Sequence, residues 1–195
     1  MSEPARNELP RWQRALLGAP GLIAAFAWGI AEGSFFFMIP DIIITLAALF
    51  SIKRSLAHML LVVAGSLVAG TALFLWSQSD YNTAKTTVAR VPFVREKMFE
   101  KTEVEFARLG VGALFTGPTE GIPYKVYAVQ APGRCSIGIF LLASIPARLE
   151  RLIMSWIVFV CAGWAFRRYK VRAVYPVIFH AAYWTLVYVY YWSVI

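Results

Sequence analysis

The feature that most constrains this chain is a short stretch that breaks a long apolar region, Gly117-Pro-Thr-Glu-Gly-Ile-Pro-Tyr-Lys125. It places a carboxylate, a cation, two prolines and two glycines inside the apolar run 109–132. Each proline removes a backbone donor and disfavours helix in the residue before it. Broken backbone at membrane depth is tolerated only where it is buried in protein or lines a wet cavity. The stretch therefore predicts a break inside a membrane domain, at Pro118, Gly121 and Pro123.

An earlier apolar run, residues 19–50, contains a similar break. Its sequence Glu32-Gly-Ser-Phe-Phe-Phe-Met-Ile-Pro-Asp41 again sets a glutamate before an Ile-Pro pair, with a charged residue just beyond. One straight spanning helix needs only about 20 residues, so this run is longer than one span requires. We expect a helical hairpin that enters and leaves on one side, with arms over 21–37 and 41–50 and the break at Pro40. The alternative is one long kinked transmembrane helix.

The composition indicates an all-α polytopic membrane protein. Hydrophobic residues make up 59% of the chain and charged residues 15%, against about 45–50% and about 25% in soluble domains. The net charge of +8 does not indicate nucleic-acid binding, because the basic residues fall mostly between apolar segments, where they set topology and meet anionic lipid headgroups. His58 and His180 are isolated, and no phosphate loop, nucleophile elbow or metal-ligand spacing occurs. We therefore expect no metal, no cofactor and no enzymatic activity.

The order of the segments predicts two similar units with opposite orientations in the membrane, a common plan in transporters. Basic residues at 6–14, 53–54 and 167–172 then share one side, which the positive-inside rule makes cytoplasmic together with the N-terminus. The predicted parts of this single membrane domain (1–195) are a polar arm (1–18), a first hairpin plus spanning helix (19–76), a surface connector (77–108), a second hairpin plus spanning helix (109–167) and one extra C-terminal spanning helix (173–195).

Two of these parts carry a pattern of their own. The first spanning helix contains Gly65, Ser66, Ala69 and Gly70, small residues at four-residue steps that allow close helix approach. The connector has an interrupted amphipathic pattern from about Val88 to Arg108, which indicates an amphipathic helix on the membrane surface. A solvated connector without a further role is the alternative for that region.

Ionisable residues inside a membrane are costly and by default indicate a functional site. Arg148 and Arg151 are three residues apart and so share a helix face, joined by Ser144 and Ser155 at four-residue steps. We hypothesise that the two breaks meet in mid-membrane and that acids and bases line one polar cavity. The acids are Glu32, Asp41 and Glu120, and the bases are Lys125, Arg148 and Arg151.

The residue types suggest roles. The bases suit a lipid phosphate, arginine through its forked donors. Glu32 or Glu120 could bind and release a proton that gates movement, because burial favours the neutral acid. On this hypothesis Glu120→Gln abolishes transport and leaves the fold intact. If the charges instead only pair with one another, they pin the hairpins together. Tyr124 and Tyr127 are expected to be packing residues.

The chain resembles the DedA family, also called the VTT or SNARE-associated superfamily, and especially its small YqaA-like branch. The resemblance covers roughly residues 25–165. It is carried by Glu32 with Phe36-Phe-Met-Ile-Pro-Asp41, by Ser51-Ile-Lys-Arg-Ser55, by Ile122-Pro-Tyr-Lys-Val-Tyr-Ala-Val-Gln-Ala131, and by Arg148 with Arg151.

The resemblance implies two re-entrant hairpins that meet in mid-membrane, and translocation or scrambling of phospholipid or polyprenyl phosphate. The expected location is the bacterial inner membrane, with membrane lipids and a second copy of the chain as candidate partners. The same residues also allow a proton-coupled transporter of a small ion or solute, or a membrane scaffold that transports nothing.

Overall fold

The computed structural model describes residues 10–194, with the backbone alone for residues 191, 192 and 194. Regular structure in this range is entirely helical, which confirms the predicted all-α class. The predicted polar arm lies outside the described residues as far as residue 9. The α-helices are α1 (Arg11–Leu17), α2 (Ala19–Ser34), α3 (Asp41–Phe50), α4 (Ile52–Ser79), α5 (Tyr81–Ala89), α6 (Glu96–Leu109), α7 (Gly117–Glu120), α8 (Tyr124–Gln130), α9 (Ile137–Arg168) and α10 (Val174–Val194), and a 3-10 helix covers Gly110–Phe115.

Two of these helices are long and apolar enough to cross a membrane. α4 has 28 residues and a mean hydropathy of 2.1, and α9 has 32 residues and a mean hydropathy of 1.5. α1 and α2 form a third candidate if they count as one span, bent by 53°. α10 has 21 residues, but its Tyr, Trp and His residues lower its mean hydropathy. It is therefore not among these candidates.

The first apolar run forms two separate helices. α2 ends at Ser34 and α3 begins at Asp41, directly after Pro40, which confirms the predicted break. Residues 35–40 between them are not helical, so the run is not one long kinked helix. α3 packs between α4, α9 and α10, and Gly163 of α9 approaches it so closely that a Cβ there would lie 2.7 Å from the Leu49 carbonyl oxygen.

The second apolar run is broken where the prolines and glycines predicted. Gly121 ends α7 in the left-handed conformation, with φ at +66°, which glycine adopts without steric cost. Pro123 is extended and immediately precedes α8. Every residue of α8 is buried, although the helix has only seven residues. The break therefore places a short helix in the interior of the protein.

The small residues of α4 allow close packing on two sides. A Cβ on Gly65 would collide with the backbone oxygen of Phe26 in α2, and a Cβ on Gly70 would collide with the Tyr124 ring in α8. Gly29 of α2 faces the Val62 backbone in the same way. The predicted close approach is confirmed, and it brings α2 and α8 against the same helix.

The connector forms α5 and α6, and the apolar face of α6 packs against protein. Phe99 and Phe106 on this face are buried. Gln130 of α8 donates a hydrogen bond of 3.1 Å from Nε2 to the Phe99 carbonyl oxygen. Protein rather than lipid therefore covers these two residues, because α6 packs against α8 and the 3-10 helix. The location of α6 at the membrane surface stays a prediction.

Candidate functional site

A cavity of about 230 Å³ lies where the two breaks, the connector and α9 meet. Its wall is mostly apolar and aromatic. Phe37 of the first break and Phe93 of the connector both line it and contact each other, with ring centroids 5.5 Å apart. Tyr188 of α10 closes another side and accepts a hydrogen bond of 3.1 Å from the Ile39 backbone. Its charged lining residues are Glu32, Lys125, Arg148 and Arg151.

Glu32 of α2 and Arg148 of α9 form a two-point ion pair at this cavity. Nη2 of Arg148 donates to Oε2 of Glu32, and Nη1 lies 3.4 Å from Oε1. The two residues are 5% and 6% exposed. The Arg148 guanidinium carbon also lies 5.0 Å from the centroid of the Tyr124 ring. Arg148 stabilises the charged form of the Glu32 carboxylate. Burial is therefore not the only influence on whether Glu32 carries a proton, contrary to the expectation from the sequence.

Asp41 and Arg151 form the second pair. Nη2 of Arg151 donates to Oδ2 of Asp41 at 3.1 Å, and the Ser155 hydroxyl donates to Oδ1 at 2.6 Å. The predicted face of α9 is confirmed, since Ser144 accepts a 3.0 Å hydrogen bond from Tyr124 on the same side. α9 runs on through Pro146 as one continuous helix.

Lys125 connects the two breaks directly. It is only 2% exposed, and its Nζ donates a hydrogen bond of 2.7 Å to the backbone carbonyl oxygen of Phe36. Phe36 belongs to the non-helical segment after α2, whereas Lys125 belongs to α8. The predicted meeting of the two breaks is therefore present as a contact between these two residues.

We call Glu32, Asp41, Lys125, Arg148 and Arg151 the charge cluster. Its two acids face three cations, which leaves an excess of one positive charge. The Nε atoms of Arg148 and Arg151 are buried and have no hydrogen-bond partner among the residues that the structure describes. A buried donor without a partner costs free energy, and more so when it is charged. The cluster is thus short of one anion and of acceptors.

Glu120 is not part of the charge cluster. Its carboxylate accepts a hydrogen bond from Lys101 of α6, and 40% of its side chain is exposed. Pro118 of α7 and Gly121 directly after it line the cavity, whereas the Glu120 side chain pairs with α6. The structure places five of the six predicted ionisable residues together, and it separates the sixth.

Sequence reasoning missed the polar role of two tyrosines. The Tyr124 ring contacts the Arg148 guanidinium, and the Tyr124 hydroxyl donates a hydrogen bond to Ser144. Tyr127 donates to Oε2 of Glu105 at 2.9 Å, and the Thr116 hydroxyl donates to the same oxygen at 2.6 Å. The sequence did contain a sign of this role, because a buried tyrosine hydroxyl needs a hydrogen-bond partner. Both tyrosines closely follow a break that has to be buried.

Comparison with known proteins gave no relative. No protein-family model, no curated protein and no solved structure matches this chain.

Proposed function

We propose that this chain is a membrane transporter that moves a phosphate-bearing lipid, a phospholipid or a polyprenyl phosphate, across the bilayer. The proposal rests on the charge cluster, which lies at a cavity between the two breaks. The cluster has three cations but only two acids, and two of its arginine donors have no described partner. A phosphate supplies the missing charge and several strong acceptor oxygens. The DedA-like residues of the sequence point to the same class of protein.

Lys125 is the residue on which phosphate binding depends most. Its only described polar partner is a neutral carbonyl oxygen, and an ammonium has three donors. The side chains of Arg148 and Arg151, whose buried Nε donors have no described partner, line the same cavity. Charge-assisted hydrogen bonds from these groups to phosphate are about twice as strong as neutral ones. A headgroup phosphate fits among them, while the acyl or prenyl chains stay in the lipid.

We propose that the two broken runs are re-entrant hairpins in two inverted units. α3 has 10 residues and α8 has seven, so they are about 15 Å and about 11 Å long at 1.5 Å per residue. Each covers about half or less of a hydrocarbon core of about 30 Å. In this arrangement the two half-depth helices meet at a cavity near the midplane of the membrane. Inverted-repeat transporters hold their substrates at that depth.

In this mechanism Glu32 acts as the gate. As an anion it holds both terminal nitrogens of Arg148. When a proton neutralises Glu32, these nitrogens become free to bind the phosphate, and loss of the proton returns them to the carboxylate. Proton uptake and phosphate binding therefore favour each other. We place the chain in the bacterial inner membrane with its N-terminus in the cytoplasm.

The experiment is lipid translocation in proteoliposomes. The wild-type chain is reconstituted with a fluorescent phospholipid, a fluorescent polyprenyl phosphate, or fluorescent glucosylceramide, which has a sugar headgroup and no phosphate. Reduction of the outer-leaflet dye then reports how fast inner-leaflet lipid becomes accessible. We expect the phosphate-bearing lipids to move and glucosylceramide to remain. Equal movement of all three lipids, or of none by folded protein, contradicts the proposal.

Two other functions each have an observation in their favour. The cavity of about 230 Å³ is smaller than the roughly 300–1,000 Å³ of most ligand pockets, which favours a small ion or solute as the transported species. Each acid of the charge cluster forms an ion pair with one arginine of α9. This favours a scaffold in which the pairs only hold α2 and α3 against α9. A small-solute carrier moves protons and solute without moving lipid, and a scaffold moves neither.

A further inference from the structure

Among the residues that the structure describes, one end of the protein collects positive charge without any acid. Its centre is the carboxyl end of α3, which α4 follows after one residue. The Trp12 ring of α1 lies 5.4 Å from the Phe50 ring, and Nη1 of Arg167 donates to the Leu49 carbonyl oxygen at 2.7 Å. The first turn of α4, the end of α9 and the start of α1 therefore meet at residues 49–52.

Seven exposed cations extend from this meeting point, and we call them the basic end. They are Arg11, Arg14, Lys53, Arg54, Arg168, Lys170 and Arg172. No Asp or Glu occurs in residues 10–31, 42–79 or 151–195. None of the seven forms an ion pair within residues 10–194.

The connector, which follows the other end of α4, is different, so the net charge alone does not explain this arrangement. The connector also carries many cations, but they alternate with acids, and Lys85 pairs with Glu96 while Lys101 pairs with Glu120. At the basic end the charges repel one another, and no acid of the described part of the chain pairs with them. Such an end is stabilised by a partner that is itself a dense array of anions.

Aromatic residues among these cations indicate which partner this is. Trp12 is 44% exposed, Trp164 62% and Tyr169 78%. Exposed Trp and Tyr are typical of the interface between hydrocarbon and headgroups. α1 is suited to that plane, because the 53° bend between α1 and α2 turns it away from the direction of the span. Gly21 permits the bend, since a Cβ there would collide with the Leu16 carbonyl.

We propose that the basic end is a binding surface for the anionic phospholipid headgroups of one leaflet. The partner is the phosphate and carboxylate layer of the membrane. The exposed lysines and arginines match this layer in charge, and the interfacial aromatic residues match it in polarity. This surface is distinct from the charge cluster, and the inference does not depend on transport. A chain that moves no lipid would still bind anionic headgroups here.

The test is lipid selection by the purified full chain. The protein is equilibrated with mixed micelles that contain equal amounts of phosphatidylglycerol and phosphatidylcholine, and native mass spectrometry counts the retained lipids. Since a cation near an anionic surface contributes roughly fivefold, we expect phosphatidylglycerol to be retained over phosphatidylcholine by at least about tenfold. The preference should fall as salt is added, because ions screen surface charge.

Matched variants locate the effect. The triple variant Arg168→Gln, Lys170→Gln, Arg172→Gln should lower the preference at least about fivefold. The control Arg90→Gln, Lys97→Gln, Arg108→Gln removes the same charge from the connector and should leave it unchanged. If the first triple variant fails to fold, Arg11→Gln with Arg14→Gln takes its place. Absence of a preference in the wild type, or equal loss in both sets, overturns the proposal.

Discussion

Arg148 and Glu32 are 116 residues apart in the sequence and form a two-point ion pair in the interior. This pair joins the end of α2 to the middle of α9, beside the cavity. Each partner has only slight exposure to solvent, so neither charge is stabilised by water once the other is removed. The pair therefore makes the stability of the fold depend on two residues that also belong to the proposed transport site.

This dependence can be measured by thermal unfolding in detergent. Loss of one partner of a buried pair costs about 3–5 kcal/mol, so Glu32→Gln and Arg148→Gln should each lower the midpoint of unfolding. The double variant removes both charges of this pair together, so neither partner is left alone, and it should recover most of the loss. Single variants as stable as the wild type would show that the pair does not form.

Lys125→Met should behave in the opposite way. Lys125 has no carboxylate partner within residues 10–194, and methionine keeps much of the stem while it removes the excess charge from the interior. We expect the unfolding midpoint to stay the same or to rise, since burying a charge without a full partner is costly. A fall as large as that of Arg148→Gln would mean that the ammonium is needed for folding.

Glu120→Gln should leave transport unchanged. From the sequence alone we predicted that this variant abolishes transport, but the carboxylate lies at the surface in a pair with Lys101. Exposed ion pairs contribute about 0–1 kcal/mol, so stability should change little as well. Transport measured beside Glu32→Gln decides the matter, because loss in both variants would return Glu120 to the mechanism.

Two glycine variants test the packing of α2 on α4. Gly29→Ala places a methyl group against the Val62 backbone and should destabilise the protein. Gly138→Ala is the control, since a Cβ at Gly138 meets nothing within 4 Å. The control should be neutral or stabilising by about 0.4–1 kcal/mol. Equal unfolding midpoints for the two variants would contradict the close approach.

The sequence predicted what depends on local chemistry. Pro40 and Pro123 mark the starts of α3 and α8 because proline restricts its own backbone and that of its neighbour. The face shared by Arg148 and Arg151 follows from helical spacing alone. Both predictions needed only residues within a few positions of one another.

The sequence could not supply what depends on distant contacts. It named Glu32 and Arg148 as candidates but could not pair them across 116 residues. It grouped Glu120 with the cluster because nothing local shows which way a side chain points from a four-residue helix. It did not show that protein covers Phe99 and Phe106 of α6, because an amphipathic pattern has the same period whether lipid or protein covers the apolar face.

The measurement that tests the central claim most directly is phospholipid translocation in proteoliposomes by wild type, Lys125→Met and Lys101→Met. Both variants remove one lysine charge, one at the cavity and one in the exposed pair with Glu120. Since hydrogen bonds to charged groups are worth about 1.5–3 kcal/mol, we predict that Lys125→Met lowers the rate by about tenfold or more and that Lys101→Met matches the wild type. Wild-type rates for a folded Lys125→Met protein would contradict a phosphate site at the cavity.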